Sequence, residues 1–160
     1  MARQIPKRAA APHPTVRFVD DYFAYLLARA SHLVSAEFHA QLTALGVAAP
    51  TWRVLSTLSD SNGLTVGELA KIVLLKQPTL SKALDRMIAE GLVSRSASSA
   101  DRRRVRVSIS PKGRAMVEGL IARAVEHEES VLSSYSAAER QTLKQMLKTL
   151  IDRLSPLSEA

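Results

Sequence analysis

The chain contains no cysteine. Disulfides, thiolate metal sites, cysteine nucleophiles and thiol redox sensing are excluded together. Aromatic residues make up only 4% of its 160 residues, which leaves little surface for stacking unpaired bases and disfavours an RNA-binding role. No apolar run approaches the roughly 18 residues of a membrane span. The first stretch, MARQIPKRAAAPHPT, is basic but has no apolar core, so it does not read as a secretory signal, and a cytoplasmic protein is expected. A Gly-rich phosphate loop, a Gly-x-Ser-x-Gly elbow and a paired metal motif are also missing, and the histidines at 13, 32, 39 and 127 are scattered. Neither an enzyme nor a cofactor is expected. His32 and His39, seven apart, can share a helix face, but two histidines do not make a metal site.

What is present is positive charge. The formal net charge is +7, which points to an anionic partner, nucleic acid before an anionic membrane surface. Between Lys71 and Arg114 stand eleven basic residues against Asp85, Glu90 and Asp101, a local net charge of +8. Such concentration is the electrostatic footprint of a nucleic-acid binder. The competing reading is a solvated basic face with no partner.

Apolar spacing supplies the organisation. Residues 1–14, rich in Ala, Pro and Arg, read as a disordered basic tail, and 155–160 as a C-terminal tail. Val16, Val19, Tyr22, Phe23, Leu26, Leu27, Ala30, Leu33 and Val34 recur in steps of three and four, so 15–46 reads as one long amphipathic helix ended by Gly46. A short helix with Pro50 in its first turn follows, with Trp52, Leu55 and Leu58 on one face. Asn62-Gly63 makes a turn. Thr65 and Glu68 form a capping box that opens a third helix through Leu69, Ile72 and Val73. The fourth runs through KQPTLSKALDRMIAEGL, with Pro78 near its start and Gly91 past its end. Leu80, Ala83, Leu84, Met87 and Ile88 are its buried stripe, and Thr79, Ser81, Lys82, Asp85 and Arg86 lie on or near the other side. This pair of helices has the form of a helix-turn-helix.

Residues 92–95 read as a short strand and 96–100 as a polar loop. Val105, Val107 and Ile109 alternate with Arg104, Arg106 and Ser108, giving a second strand with one apolar face. The hairpin, 92–110, would be a wing after the helix-turn-helix. Its arginine run suits phosphates and a narrow, strongly negative minor groove, and Asp101 can hold one arginine in a bidentate pair. Pro111 then opens a helix with Val117, Leu120, Ile121, Ala124, Val125, Val131 and Leu132 apolar. Ser136 and Glu139 form a second capping box, opening a last helix through Leu143, Met146, Leu147, Leu150, Ile151 and Leu154.

At DRRRVRVSISPKG (101–113) and PTLSKALDRMIAEGLVSR (78–95) the chain resembles the MarR family of bacterial transcription regulators. The family's wing signature, Asp-x-Arg, a strand ending Leu-Thr, two residues and Gly, is matched by Asp101-Arg102-Arg103, Ile109-Ser110 and Gly113. The order of elements fits from about residue 15 to 154. The fold implied is mainly α with a small β-hairpin wing: a winged helix-turn-helix domain (50–110) flanked by N- and C-terminal dimerisation helices (15–46 and 114–154). The apolar surface of those helices exceeds what a small winged domain covers, which independently favours a homodimer. The partner implied is double-stranded DNA carrying a pseudo-palindromic operator, with the fourth helix in the major groove and Arg103, oriented by Asp101, in the minor groove. Candidate DNA contacts are Lys76, Gln77, Thr79, Ser81, Lys82, Arg86, Arg95, Asp101, Arg102, Arg103 and Arg104.

The resemblance also implies a small aromatic acid effector bound between the dimerisation helices and the winged domain. Tyr22, Tyr25, Arg29, His32, His39 and Trp52 are the polar-tipped or cationic residues on segments bordering such a pocket, a set suited to an aromatic carboxylate. The same residues also suit an ordinary helical interface. The function expected is a sequence-specific, ligand-released repressor; the alternative is an architectural winged-helix DNA-binding protein without ligand response.

Overall fold

Helices and strands in the computed structural model, which describes residues 17–97 and 105–155, follow the order α1 (Phe18–Asp21), α2 (Phe23–Ala44), α3 (Ala49–Ser59), β1 (Leu64–Thr65), α4 (Val66–Val73), α5 (Gln77–Ala89), β2 (Val93–Ala97), β3 (Val105–Ile109), α6 (Pro111–Val131) and α7 (Ala137–Leu154). Both tails, 1–14 and 156–160 of the C-terminal one, lie outside the described residues. Two compact units divide between Glu37 and Phe38.

The first unit corrects the expectation of one helix over 15–46. Tyr22 is extended (φ −79, ψ 115) and separates the single turn of α1 from α2. Asp20 and Asp21 explain the break: two carboxylates oppose the dipole at the end of a continuing turn but suit the approach to a helix start. Arg17 pairs with Asp20 at 3.0 Å. No described residue before Phe38 is buried. Phe18, Val19, Tyr22, Phe23, Leu26, Leu27, Leu33 and Val34 all stay exposed.

In the second unit α2 closes on Gly46, in the left-handed region at φ +70, and the Val47 N–H donates to the Leu42 carbonyl at 2.9 Å, a helix stop that favours glycine. Thr65 caps α4 in a reciprocal box with Glu68, and Ser136 caps α7 with Glu139 in the same way. The hydroxyl of Ser110 caps α6 at the Gly113 N–H. These three starts follow from local sequence. The core of the unit gathers Val54, Leu55, Leu58, Leu69, Val73, Leu80, Leu84, Met87, Leu92, Val93, Val107 and Val117. A smaller cluster of Phe38, Leu42, Val47 and Leu120 lies beside it, with Trp52 and Met116 packed against both.

The sheet differs from the two-stranded wing expected. β3 is central, in the order β1-β3-β2, with Leu64 opposite Val107 and Thr65 opposite Arg106. Two residues have no period to read, so β1 is invisible to pattern. β2 runs to Ala97, where a loop was expected from 96, because Ser96 and Ala97 pair with Arg106 and Val105. The long alternating partner recruits them regardless of their own small polar character. Two further expectations shift: Ile72 is 55% exposed and Val105 45% exposed, although both fall on apolar patterns. The apolar spacing of α6 divides between two faces. Val117 and Leu120 are buried, whereas Ile121 and Val125 are exposed. No residue of α7 is buried.

Candidate nucleic-acid interface

α5 carries most of the candidate contacts. Leu80, Leu84 and Met87 are fully buried and anchor one face. The opposite face presents Thr79, Lys82, Asp85 and Arg86 to solvent, with Ser81 half-buried at its edge. The helix stands out at its start. Lys76 is the N-cap and offers no side-chain acceptor, unlike Thr65, Ser110 and Ser136 at the starts of α4, α6 and α7. A cation at a helix N-terminus opposes the dipole. The cost is recovered where a phosphate lies in front, since the anion meets both the lysine and the first N–H groups. Gln77 is exposed and its amide nitrogen comes to 3.9 Å from the space a Cβ at Gly67 would fill. Its side chain therefore lies along the first turn of α4.

The turn between α4 and α5 carries the one non-glycine residue at positive φ among the described residues. Leu74 has φ 55 and ψ 42 and is 81% exposed. A leucine there costs about 1–2 kcal/mol relative to right-handed backbone. Leu75 then turns inward onto the core.

The basic residues of the segment do different jobs. Lys76 and Lys82 are exposed, and neither has an ion-pair partner among the described residues. Arg86 pairs with Glu90 at 2.8 Å, and Arg95 on β2 reaches back to Asp85 on α5 at 3.0 Å. Both are partly exposed pairs, worth little stability, but they hold the two guanidinium groups along one side of α5. Three other cations act as structural donors. Arg106 donates to the Gly63 carbonyl at 2.7 Å, Lys112 to that of Glu90 at 2.8 Å and Arg114 to that of Ser59 at 3.0 Å. A charge count along the sequence does not separate these roles. Asp101, Arg102, Arg103 and Arg104 lie outside the described residues.

The candidate effector residues fall in both units. Tyr22, Tyr25, Arg29 and His32 belong to the first and are exposed. Tyr22 stacks on Phe18 with centroids 5.0 Å apart. Tyr25, Arg29 and His32 follow each other at four and three residues on α2, so they share a face. In the second unit His39 and Trp52 are half-buried. Trp52 meets Phe38 edge-on at 5.3 Å, and the His127 ring meets Phe38 at a tilt, also at 5.3 Å. Phe38 and His127 are both buried, and sequence reading missed both. The available signal was spacing: His127 follows Val117, Leu120 and Ala124 in steps of three, four and three, on the inward face of α6. The Glu139 carboxylate is held below its ordinary range by hydrogen bonds from the Ser136 hydroxyl and backbone N–H. Among the described residues no group of metal-binding side chains assembles and no helix is long and apolar enough to cross a membrane.

Comparison with known proteins places this arrangement. The sequence pattern of the MarR family matches residues 45–104, the span from α3 into the wing. A MarR family transcriptional regulator of Silicibacter pomeroyi DSS-3 is 40% identical in sequence; the match covers 87% of this chain and 99% of that one, with a TM-score of 0.77. An HTH-type transcriptional repressor of Mycobacterium tuberculosis is 29% identical over 82% of this chain and 94% of its own length. BpsR of Bordetella bronchiseptica, whose DNA binding is regulated by 6-hydroxynicotinic acid, is 27% identical over 87% of this chain and 99% of its own, with a TM-score of 0.75. With a winged helix-turn-helix built as described and relatives that match along nearly their whole length, the chain belongs to the MarR family and is a transcriptional regulator, not an enzyme.

Proposed function

We propose that this regulator is a homodimeric repressor that occludes a pseudo-palindromic operator and leaves it when a small aromatic acid binds. The observation that carries the DNA half is α5, with three fully buried side chains on one face and Thr79, Lys82 and Arg86 on the other. In this reading the helix enters the major groove, Lys76 and Lys82 meet phosphates, and Gln77, Thr79 and Ser81 face base edges. Arg102, Arg103 and Arg104 lie along the minor groove, with Asp101 orienting Arg103. Residues 15–154 act as one regulatory domain in the cytoplasm, and two copies pair through the segments 15–46 and 114–154.

The effector half is supported by BpsR, which responds to a hydroxylated pyridine carboxylic acid, and by the row Tyr25, Arg29, His32 on α2. Arg29 would take the carboxylate. The acid would favour a spacing of the two α5 helices that no longer matches successive grooves, a coupling of about 1–3 kcal/mol.

Selection of duplexes from a random library tests the first half. A palindrome with half-sites about one helical turn apart should emerge. Arg103→Ala should weaken it and make the salt dependence shallower by about one unit. Asp101→Ala should weaken binding too; tighter binding at two salt concentrations would mean that Asp101 acts only through charge. A thermal-shift series of aromatic acids, 6-hydroxynicotinic acid included, tests the second half. Arg29→Ala should then lose the ligand shift while operator affinity persists. If no acid stabilises the protein or releases DNA, the effector reading falls and the operator reading stands.

A further inference from the structure

Three successive carbonyls just past the end of α5 are each taken by the beginning of α6. Lys112 donates its ammonium to the Glu90 carbonyl at 2.8 Å, the Ser110 hydroxyl donates to Gly91 at 2.6 Å, and the Ser110 N–H donates to Leu92 at 3.0 Å. The Ser110 oxygen in turn accepts the Gly113 N–H at 3.0 Å. Gly113 is buried, and a Cβ added there would overlap the Leu92 carbonyl oxygen. Arg114, one residue on, holds the Ser59 carbonyl at the end of α3. On the α5 side, Gly91 at φ +71 directs its own N–H to Ile88 and that of Leu92 to Met87, so these carbonyls sit in a closed helix stop rather than a loose loop.

A helix end leaves its last carbonyls without internal partners, and here the stop itself takes those of Arg86, Met87 and Ile88. The next three carbonyls, Glu90, Gly91 and Leu92, go to the first turn of another helix, through Ser110 and Lys112, with Gly113 packed against them. The two backbones close directly on each other at Gly113, where a Cβ would overlap the Leu92 carbonyl oxygen.

We propose that Ser110, Lys112 and Gly113 form a rigid joint through which α6 sets the presentation of α5, so that these residues determine which half-site spacing the dimer accepts without touching DNA. The proposal rests on the operator reading above. It also gives a lever. α6 has 21 residues, about 30 Å, so a tilt of about 6° about its far end displaces the joint by about 3 Å. That is close to the 3.4 Å rise of one base pair.

The test compares duplexes rather than overall affinity. Duplexes selected by the full-length wild type are remade as a single half-site and as palindromes with one or two base pairs inserted or removed between half-sites. Lys112→Met and Ser110→Ala, each confirmed as a folded dimer by sedimentation, should bind the single half-site within about twofold of wild type. They should bind the selected palindrome about five- to tenfold more weakly, a coupling of ordinary allosteric size. The decisive readout is the penalty for altered spacing, which should be steep for wild type and nearly flat for both variants. Lys112→Arg, which can still reach the carbonyl, should keep the steep profile.

An unchanged spacing profile in folded variants overturns the joint. An equal loss on half-site and palindrome overturns it as well, because the residues would then act by contact or through the fold. If wild type selects no sequence over scrambled duplex, the operator reading itself has failed. Hydrogen exchange on wild type guards against variants that do not fold. The amides of Ser110 and Gly113 should be protected as well as those of Leu84 and Met87, and exchange at loop rates would contradict a rigid joint.

Discussion

Between Val54 and Val107 most of the large apolar side chains are covered, Ile72, Leu74 and Val105 apart. Leu55, Leu58, Leu69, Leu80, Leu84 and Val107 are fully buried. Between Leu143 and Leu154 the same kinds of side chain are bare: Met146, Ile151 and Leu154 are at least half exposed. Both regions are helical, and both helix starts at Thr65 and Ser136 carry the same capping box. The difference is therefore not local propensity. The winged region has found its partners within the chain, and α7 buries no side chain among the described residues. Most of a helix's stability in a protein comes from packing an amphipathic face, and in the dimer proposed above a second copy would supply the reciprocal stripe for α7.

The sharpest way to break this comparison is to mutate one side of it at a time. Leu84→Ala should cost about 2–5 kcal/mol, as large-to-small changes at fully buried positions do. Chemical denaturation should show that loss at every protein concentration. Ile151→Glu should behave in the opposite manner. It removes no buried contact within the described chain, so the winged region should stay folded by circular dichroism. If residue 151 is covered in the dimer, self-association should weaken by about 1.5–3 kcal/mol, the value of burying one large apolar side chain. Sedimentation would then show monomer at micromolar concentration, and melting would become concentration-dependent. A variant that stays fully dimeric would remove α7 from the pairing surface.

A smaller effect tests the winged region's self-sufficiency. Leu74 is strained and exposed, so Leu74→Gly relieves the left-handed backbone but adds freedom to the unfolded chain. The two effects leave a net gain of about 0.5–1 kcal/mol. A lower melting temperature would mean that the Leu74 side chain contributes packing its exposure does not suggest. The smallest effect lies in pH. Glu139 is depressed in the folded state, so its contribution to α7 is present above the unfolded carboxylate range and lost as pH falls through the folded value. Acid should fray the start of α7 below about pH 4.5, and Glu139→Ala should flatten that part of the profile. An NMR titration placing the Glu139 carboxyl at or above the ordinary range would contradict the capping geometry.

Sequence by itself determined the parts whose causes lie within a few residues. Helix starts at Thr65, Ser110 and Ser136, stops at Gly46 and Gly91, the buried stripe Leu80, Leu84, Met87 and the alternating strand at 105–109 are all set by short-range hydrogen bonding, backbone sterics and apolar period. Tertiary structure decided everything that depends on what approaches from elsewhere in the chain. β1 exists because β3 offers it an edge, and β2 lengthens for the same reason. α1 and α2 separate at Tyr22, where only flanking charge marks the break. Phe38 and His127 become one cluster because α2 and α6 meet there. The basic residues divided most sharply. Lys82 and Arg106 carry the same charge in the sequence, yet one stands in solvent and the other holds the Gly63 carbonyl. A cation's role is fixed by which unsatisfied acceptor the fold brings within about 3 Å of it, and that distance is set by packing between segments far apart in the chain.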